Sequence, residues 1–257
     1  GAKGIYGLYR NSVVNQYFSG RIDAFYSHPS GKWGLAFNYK RNDISFDENV
    51  IVPLNYNHFR LSAHKSFTTK SKGTFRFIVD ANYILSNDKN VKNKIPLFAV
   101  FSWLSPLEKY YIEMNAHYFP TEVSNKIEMF PTLGMALFNY YVWAQAAFHY
   151  SIYSNTVQGL DRGWSINPEV TYYAIPQKLT FTGYGFYGEQ IFSYTPGTLV
   201  LYMSEIVVTT NVGLTAYYYL SEELIPYLDY QYERYENRDI VQKFDASYFT
   251  IGFFYRL

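Results

Sequence analysis

Apolar side chains recur at every second position along much of this chain, the period of a strand whose two faces meet different surroundings. From Trp33 the odd positions read Trp33, Leu35, Phe37 and Tyr39, with Gly34, Ala36, Asn38 and Lys40 between them. Phe75, Phe77, Val79, Ala81 and Tyr83 alternate with Arg76, Ile78, Asp80 and Asn82. Tyr110, Ile112, Met114, Ala116 and Tyr118 alternate with Tyr111, Glu113, Asn115 and His117. Each apolar face starts and finishes on an aromatic ring and holds aliphatic or small side chains between. A strand facing lipid acquires that order, because rings settle at the two interfaces and aliphatic groups in the hydrocarbon between them.

Segments of this kind predict strands at 4–11, 15–27, 33–42, 57–67, 75–86, 95–104, 109–119, 128–138, 140–153 and 163–175, then at 178–190, 204–220, 224–237 and 244–257. Links such as Phe138-Asn139 and Pro176-Gln177 are short, whereas 43–56, 87–94, 120–127, 154–162 and 191–203 are long. Short turns at one end and long loops at the other are the habit of bacterial barrels, whose turns are periplasmic. The expected fold is therefore all-β: a transmembrane up-and-down antiparallel β-barrel of about 14 strands, within 12 to 16, with both termini in the periplasm. No internal repeat or linker divides the chain, so residues 1–257 are read as one domain. Gly183, Gly185 and Gly188 leave the phase of 178–190 open. Val208, Val212, Leu214, Ala216, Tyr218 and Leu220 keep one phase, so 204–220 is read as a single strand. The second face of the strands carries Gly, Ala, Asn, Thr and Tyr beside isolated charges, which suits a lumen better than the wet face of a soluble sandwich.

Composition sharpens this picture. Among 257 residues there are 29 Tyr and 21 Phe, a formal net charge of +1 and no Cys. So many phenols need places where a ring is in oil and its hydroxyl in water, as at membrane interfaces. The balanced charge argues against a nucleic-acid binder, and the lack of Cys excludes disulfides and thiolate metal sites. No run of about 18 apolar residues occurs, so crossing a membrane must fall to strands. The start Gly1-Ala2-Lys3 has no leader pattern, so a secretion signal is expected to be gone already.

The last strand adds a separate signal. Phe249, Ile251, Phe253, Tyr255 and Leu257 alternate with Thr250, Gly252, Phe254 and Arg256. Thr250-Ile251-Gly252-Phe253-Phe254-Tyr255-Arg256-Leu257 resembles the β-signal of bacterial outer-membrane β-barrel proteins: a polar residue, Gly two places on, then two hydrophobics separated by one residue. Leu257 stands where that signal more often has Phe. The resemblance implies recognition by the barrel-assembly machinery, residence in the outer membrane of a Gram-negative cell envelope, and contact with lipids including lipopolysaccharide. Length, strand number and the strand end Phe37-Asn38-Tyr39-Lys40-Arg41 also resemble YaiO-type barrels, which are linked to envelope or exopolysaccharide functions.

If the apolar face looks outward, the other face lines the lumen. The candidates are Arg21, Asp23, Lys40, His58, Arg60 and His64 on the early strands, followed by Arg76, Asp80, Glu113, His117, Glu169 and Asp229. Pairing across 68–74 sets Ser62 by Asp80 and Arg60 by Asn82; across 28–32 either Arg21 or Asp23 faces Lys40. Two readings follow. These groups form ion-pair networks within a narrow interior, or they line a water-filled path whose Arg and Lys attract anionic solutes. Phe98, Val100, Phe130 and Phe138 on inner faces imply an apolar patch, an inserted loop or a bound lipid. His58, Ser62 and His64 share one strand face but lie ~13–20 Å apart at strand rise, too far to bond one another. Catalysis by an envelope-lipid hydrolase would require His58, His117 and His149 to converge with other partners. Asp43 to Asp47 lacks the glycine turn of a calcium loop, and Gly183-x-Gly185-x-x-Gly188 has no helix after it to bind a dinucleotide. No metal, cofactor or nucleic acid is expected. The function expected is a channel or export barrel for a hydrophilic solute such as a saccharide, the alternative being a scaffold that holds envelope protein partners.

Overall fold

The computed structural model describes residues 2–10, 14–28, 30, 32–46, 54–89, 91–191, 194–195, 200–201, 207–239 and 241–255. The strands are β1 (Ala2–Arg10), β2 (Val14–Ser27), β3 (Trp33–Phe46), β4 (Leu54–Thr69), β5 (Gly73–Ser86), β6 (Leu97–Leu104), β7 (Tyr110–Phe119) and β8 (Lys126–Leu137). They continue with β9 (Val142–Val157), β10 (Leu160–Ile175), β11 (Leu179–Gln190), the short β12 (Tyr194–Thr195) and β13 (Val200–Leu201), then β14 (Val207–Tyr218), β15 (Leu224–Asn237) and β16 (Gln242–Tyr255). Fourteen of them form one closed barrel, and β12 and β13 pair separately within a loop. Closure joins β16 to β1 in antiparallel register, with Thr250 opposite Ile5. Every neighbouring pair is antiparallel, so backbone groups that would be orphaned in hydrocarbon find partners around the ring.

Alternation decides what each face meets. Leu133 is 64% exposed and Val79 59%, although both are aliphatic, while Lys40 and Glu233 are wholly buried. That is the inverse of a soluble protein. Tyr110, Ile112, Met114 and Tyr118 all point outward, as their spacing predicts. Several strands reach 14–16 residues, against about 9–11 needed to cross a bilayer. The surplus lies beyond the apolar band at the loop end, where outward pairs Arg41–Asp43 at 3.0 Å and Arg234–Asp245 at 3.1 Å face water.

The surplus explains one departure from expectation. Residues 154–162 are not a loop. β9 and β10 run on and meet in a two-residue hairpin whose Gln158 and Gly159 have φ of 53° and 75°, the signs of a type I′ turn. Ser154, Asn155, Thr156, Asp161 and Arg162 are exposed, so above the bilayer the outward face turns polar and the alternation fades. A second departure concerns Val208. The register shifts between Val208 and Thr210, and this bulge turns Val208 inward to 3% exposure, out of phase with Val212 and Leu214. Phe138 is a third: it sits in the β8–β9 turn, 76% exposed, and lines nothing. The paired residues Ser62↔Asp80 and Arg60↔Asn82 fall as expected, and Arg21 is the residue opposite Lys40.

At the loop end the interior is filled with apolar side chains. Tyr56, Ile84, Phe98, Phe119, Tyr153 and Val157 point in from the strands, and Val91 and Ile191 join them from loops, both wholly buried. Phe186, Val208, Tyr235, Phe244, Ala246 and Tyr248 form a second cluster on the β11–β16 side. Burial of Phe98 and Phe130 on the inner faces agrees with the apolar patch and inserted loop expected there.

Candidate functional site

Beneath these clusters lies a layer of buried polar groups centred on Glu128 of β8. Its Oε1 accepts hydrogen bonds from Gln190 Nε2 at 2.8 Å and Ser151 Oγ at 3.3 Å, and lies 2.9 Å from His149 Nδ1. Its Oε2 lies 3.3 Å from Lys126 Nζ and 3.5 Å from His117 Nδ1. Strand register produces the knot, since His117 of β7 and Ser151 of β9 both stand opposite Glu128. Phe130 stacks on His149 with centroids 4.1 Å apart and meets His117 edge-on at 4.6 Å; Phe98 closes on His117 at 4.3 Å. Both imidazoles are thus held by rings as well as by the carboxylate.

A second buried carboxylate, Glu233 of β15, accepts from Asn211 Nδ2 at 2.8 Å and from Gln231 and the Tyr235 hydroxyl. On the β3–β4 side, Asn42 Nδ2 lies 3.1 Å from His58 Nε2, and Lys40 is buried beside them in the ladder. Nearby, Arg60 pairs with Asp80, and the Asn38 amide donates to Asp23.

Toward the short turns the lumen opens into a cavity of ≈ 1470 Å³. Glu108, Asn139, Pro176 and Gln177 rim it at the turn end, and Phe130, His149 and Gln190 bound it at the other. Tyr111, Trp143, Tyr184, Tyr217 and Tyr227 line its sides. Between the rings lie amides and carboxylates already set in bonds. Trp143 Nε1 donates to Gln145 Oε1 at 3.0 Å, and Gln145 Nε2 to Glu169 Oε1 at 3.0 Å. Tyr184 OH and Thr215 Oγ1 donate to Asp229 Oδ1 at 3.0 and 2.6 Å. Tyr111 donates to Glu113, and Asn115 Nδ2 donates to Glu113 Oε1 at 2.7 Å. Tyr184 reaches Asp229 by lying over Gly213 of the intervening strand, where an added Cβ would sit 2.2 Å from the ring.

The expected lumen residues fall into three groups. Asp23, Arg60, Asp80, Glu113, Glu169 and Asp229 line the cavity. Lys40, His58 and His117 are sealed in the polar layer. His64 lies against Gly34 near the turn end, and Arg76 is exposed in the inward phase of Asp80. The side chain of Arg21 is outside the described residues. Of the three histidines asked to converge, His117 and His149 do so on Glu128, whereas His58 bonds Asn42. Ser151 turns its hydroxyl to Glu128 rather than to a histidine. Of the two readings of the lumen charges, the cavity fits ion pairing rather than a path lined by Arg and Lys: Lys40 is buried, Arg60 is tied to Asp80, and Arg60 is the one Lys or Arg among the described lining residues. Glu108, Glu113, Glu169 and Asp229 give it an acidic lining.

Sequence reasoning missed Glu128, Glu233 and Gln190, and left Tyr184 without a face. Glu128 heads the predicted strand 128–138, with no neighbour in the sequence to mark it, and the glycines of 178–190 hide the phase that sends Tyr184 inward. Among the described residues, no group of three His, Asp or Glu is placed to hold a metal ion.

No family profile and no curated protein sequence matches the chain. Among solved structures, it resembles the NanC porin at 11% identity and a TM-score of 0.50, covering 100% of both chains. It resembles a bacterial polysaccharide outer membrane secretin at 8% identity and 0.54, covering 100% of this chain and 98% of that one. A FadL homologue of Pseudomonas aeruginosa matches at 8% and 0.54, over 99% and 89%. These likenesses show the fold of a bacterial outer-membrane β-barrel. The lipid-facing belt around a closed ring of strands accounts for residence in that membrane.

Proposed function

We propose that this barrel conducts a hydrophilic solute, of the saccharide class, between the periplasm and the cell exterior. The observation that carries the reading is the turn-end cavity, whose rings alternate with prearranged amides and carboxylates. Flat rings offer apolar faces to the C–H faces of a sugar, while fixed amides and carboxylates match its hydroxyls; binding sites are built from such a mixture. The turn end is periplasmic by the rule for bacterial barrels, so the open vestibule faces the side from which an exported solute arrives. The apolar clusters and the Glu128 layer close the other end, which makes this a gated path. The shared fold with a porin and a polysaccharide secretin supports pore formation, and the choice of solute rests on the lining alone. Lipopolysaccharide contact at the outer rim and insertion by the barrel-assembly machinery belong to the same proposal.

The test is reconstitution of the purified barrel in planar bilayers and in liposomes loaded for swelling. Stepwise conductance together with uptake of neutral oligosaccharides is the expected result. A silent membrane, no swelling and a stoichiometric partner retained in mild detergent would replace the channel by the scaffold.

A further inference from the structure

We infer that the solute recognised in this lumen is a saccharide bearing protonated amines. The inference deepens the path proposed above and rests on it. Three lining carboxylates decide the matter. Glu113 is bonded by Tyr111 and Asn115, Glu169 by Gln145, and Asp229 by Tyr184 and Thr215. Every one of these donors is neutral, so none of these bonds brings a positive charge to the carboxylate it holds. The three acidic groups sit inside a cleft with low-dielectric sides, where field lines are concentrated and cations are enriched.

Cross-strand register makes one arc of these groups. Gln145 stands opposite Glu169, Glu169 opposite Tyr184, and Tyr184 opposite Gly213, over which its ring passes to Asp229. Trp143 and Tyr217 flank the arc on its β9 and β14 sides. Ring faces attract cations as well as sugar faces, and amides supply donors and acceptors for hydroxyls. An acidic sugar would meet like charge here. A polyamine would satisfy the carboxylates but leave the amides unmatched, and a free amino acid would bring its own carboxylate. An aminated sugar answers all three kinds of lining group.

The experiment uses the full barrel in detergent, with calorimetry for binding and bilayer current blockade for entry. The probes are a glucosamine oligomer at a pH where its amines are protonated, the N-acetylated oligomer of equal length, an oligogalacturonate and spermidine. The companion protein carries Glu169→Gln with Asp229→Asn, isosteric changes checked for folding by the heat-dependent gel shift of barrels. The glucosamine oligomer is expected to bind roughly tenfold tighter than its acetylated counterpart, equivalent to about 1.4 kcal/mol. In the double variant the ratio of the two affinities is expected to fall to about one, because the acetylated oligomer loses only neutral contacts and the amino oligomer loses its charge partners as well. Equal affinity for the acetylated form, tighter binding of the galacturonate, or spermidine binding as tightly as the amino sugar would each overturn the inference and leave the path standing. If no oligomer binds or crosses, the path itself falls.

Discussion

Deleting the Glu128 carboxylate is expected to loosen the floor under the loop-end clusters and to open the lumen. Glu128 and Lys126 are 3% and 1% exposed and lie 3.3 Å apart at the closest charged atoms. In Glu128→Ala the ammonium keeps its burial and loses its facing charge, and Gln190 and Ser151 lose an acceptor. Breaking a buried pair from one side costs about 3–5 kcal/mol, a figure that already contains the stranded partner. With an m-value of about 3 kcal/mol/M in urea, the unfolding midpoint falls by about 1 to 1.7 M. Tryptophan emission of the detergent-folded barrel follows the transition, and bilayer recordings follow the opening. Two further proteins separate charge from packing. Glu128→Gln keeps the acceptor oxygen and should lose less, while Glu128→Leu with Lys126→Met removes both charges and should recover more than half of the loss. A midpoint within about 0.3 M of the parent for the alanine protein, with unchanged conductance, would refute the view that this carboxylate ties the layer together.

The hairpin tip at Gln158 reaches across to the β15–β16 turn, where it bonds Asp239 and the Arg238 backbone, and Arg238 pairs with Glu189. Arg238→Ala is expected to cost no more than about 1 kcal/mol yet to lengthen channel openings; unchanged open times would show that this clasp does not restrain the mouth. Val79→Arg places a charge in the middle of the outward band on β5 and should cost about 2–4 kcal/mol on refolding into lipid; tolerance of that change would mean the band does not face acyl chains. Gly213→Val drives a side chain into the Tyr184 ring and should cost about 1–3 kcal/mol together with oligosaccharide binding. Wild-type binding would remove Tyr184 from the site.

What the sequence made legible follows from where contrast exists. Strands crossing the bilayer have oil on one side and a polar lumen on the other, so the alternation from Trp33 to Tyr39 or from Tyr110 to Tyr118 is sharp, and their outward phase is as expected. Above the bilayer the outward face loses its apolar side chains, which is why the predicted strands 140–153 and 163–175 stop short of the hairpin that β9 and β10 form. Inside, the same rule assigns a residue to the lumen but says nothing about height. Asp229 and Glu233 share a phase; one faces an open cavity and the other is sealed under Tyr235 and Tyr248. The charges inside are undecided in the sequence for a related reason: it allows Lys40 and Arg60 either an ion-pair network or an open cationic path, and closure of the barrel buries the first and pairs the second.

The tyrosines show what further signal the chain holds. Curvature crowds side chains on the concave face of a barrel and spreads them on the convex one, so a large inward residue needs a small one beside it. Tyr184 stands opposite Gly213, Tyr227 opposite Gly252 and His64 opposite Gly34, and in each pair a Cβ on the glycine would come within 2.2–2.5 Å of the ring. Outward glycines behave differently: Gly20 and Gly183 would meet nothing within 4 Å. A glycine directly across from a large ring that its own Cβ would strike therefore marks the inner face. Applied to β11, the rule sends Tyr184 inward across from Gly213 and, by alternation, Phe186 with it, the phase that the glycines of the segment left open. It also explains why an aromatic excess that looked like an interfacial belt is divided between two places. Tyr110, Tyr118 and Tyr230 face lipid, while Tyr111, Tyr184 and Tyr217 bring phenols to the lumen wall, where Glu113 and Asp229 accept hydrogen bonds from the first two.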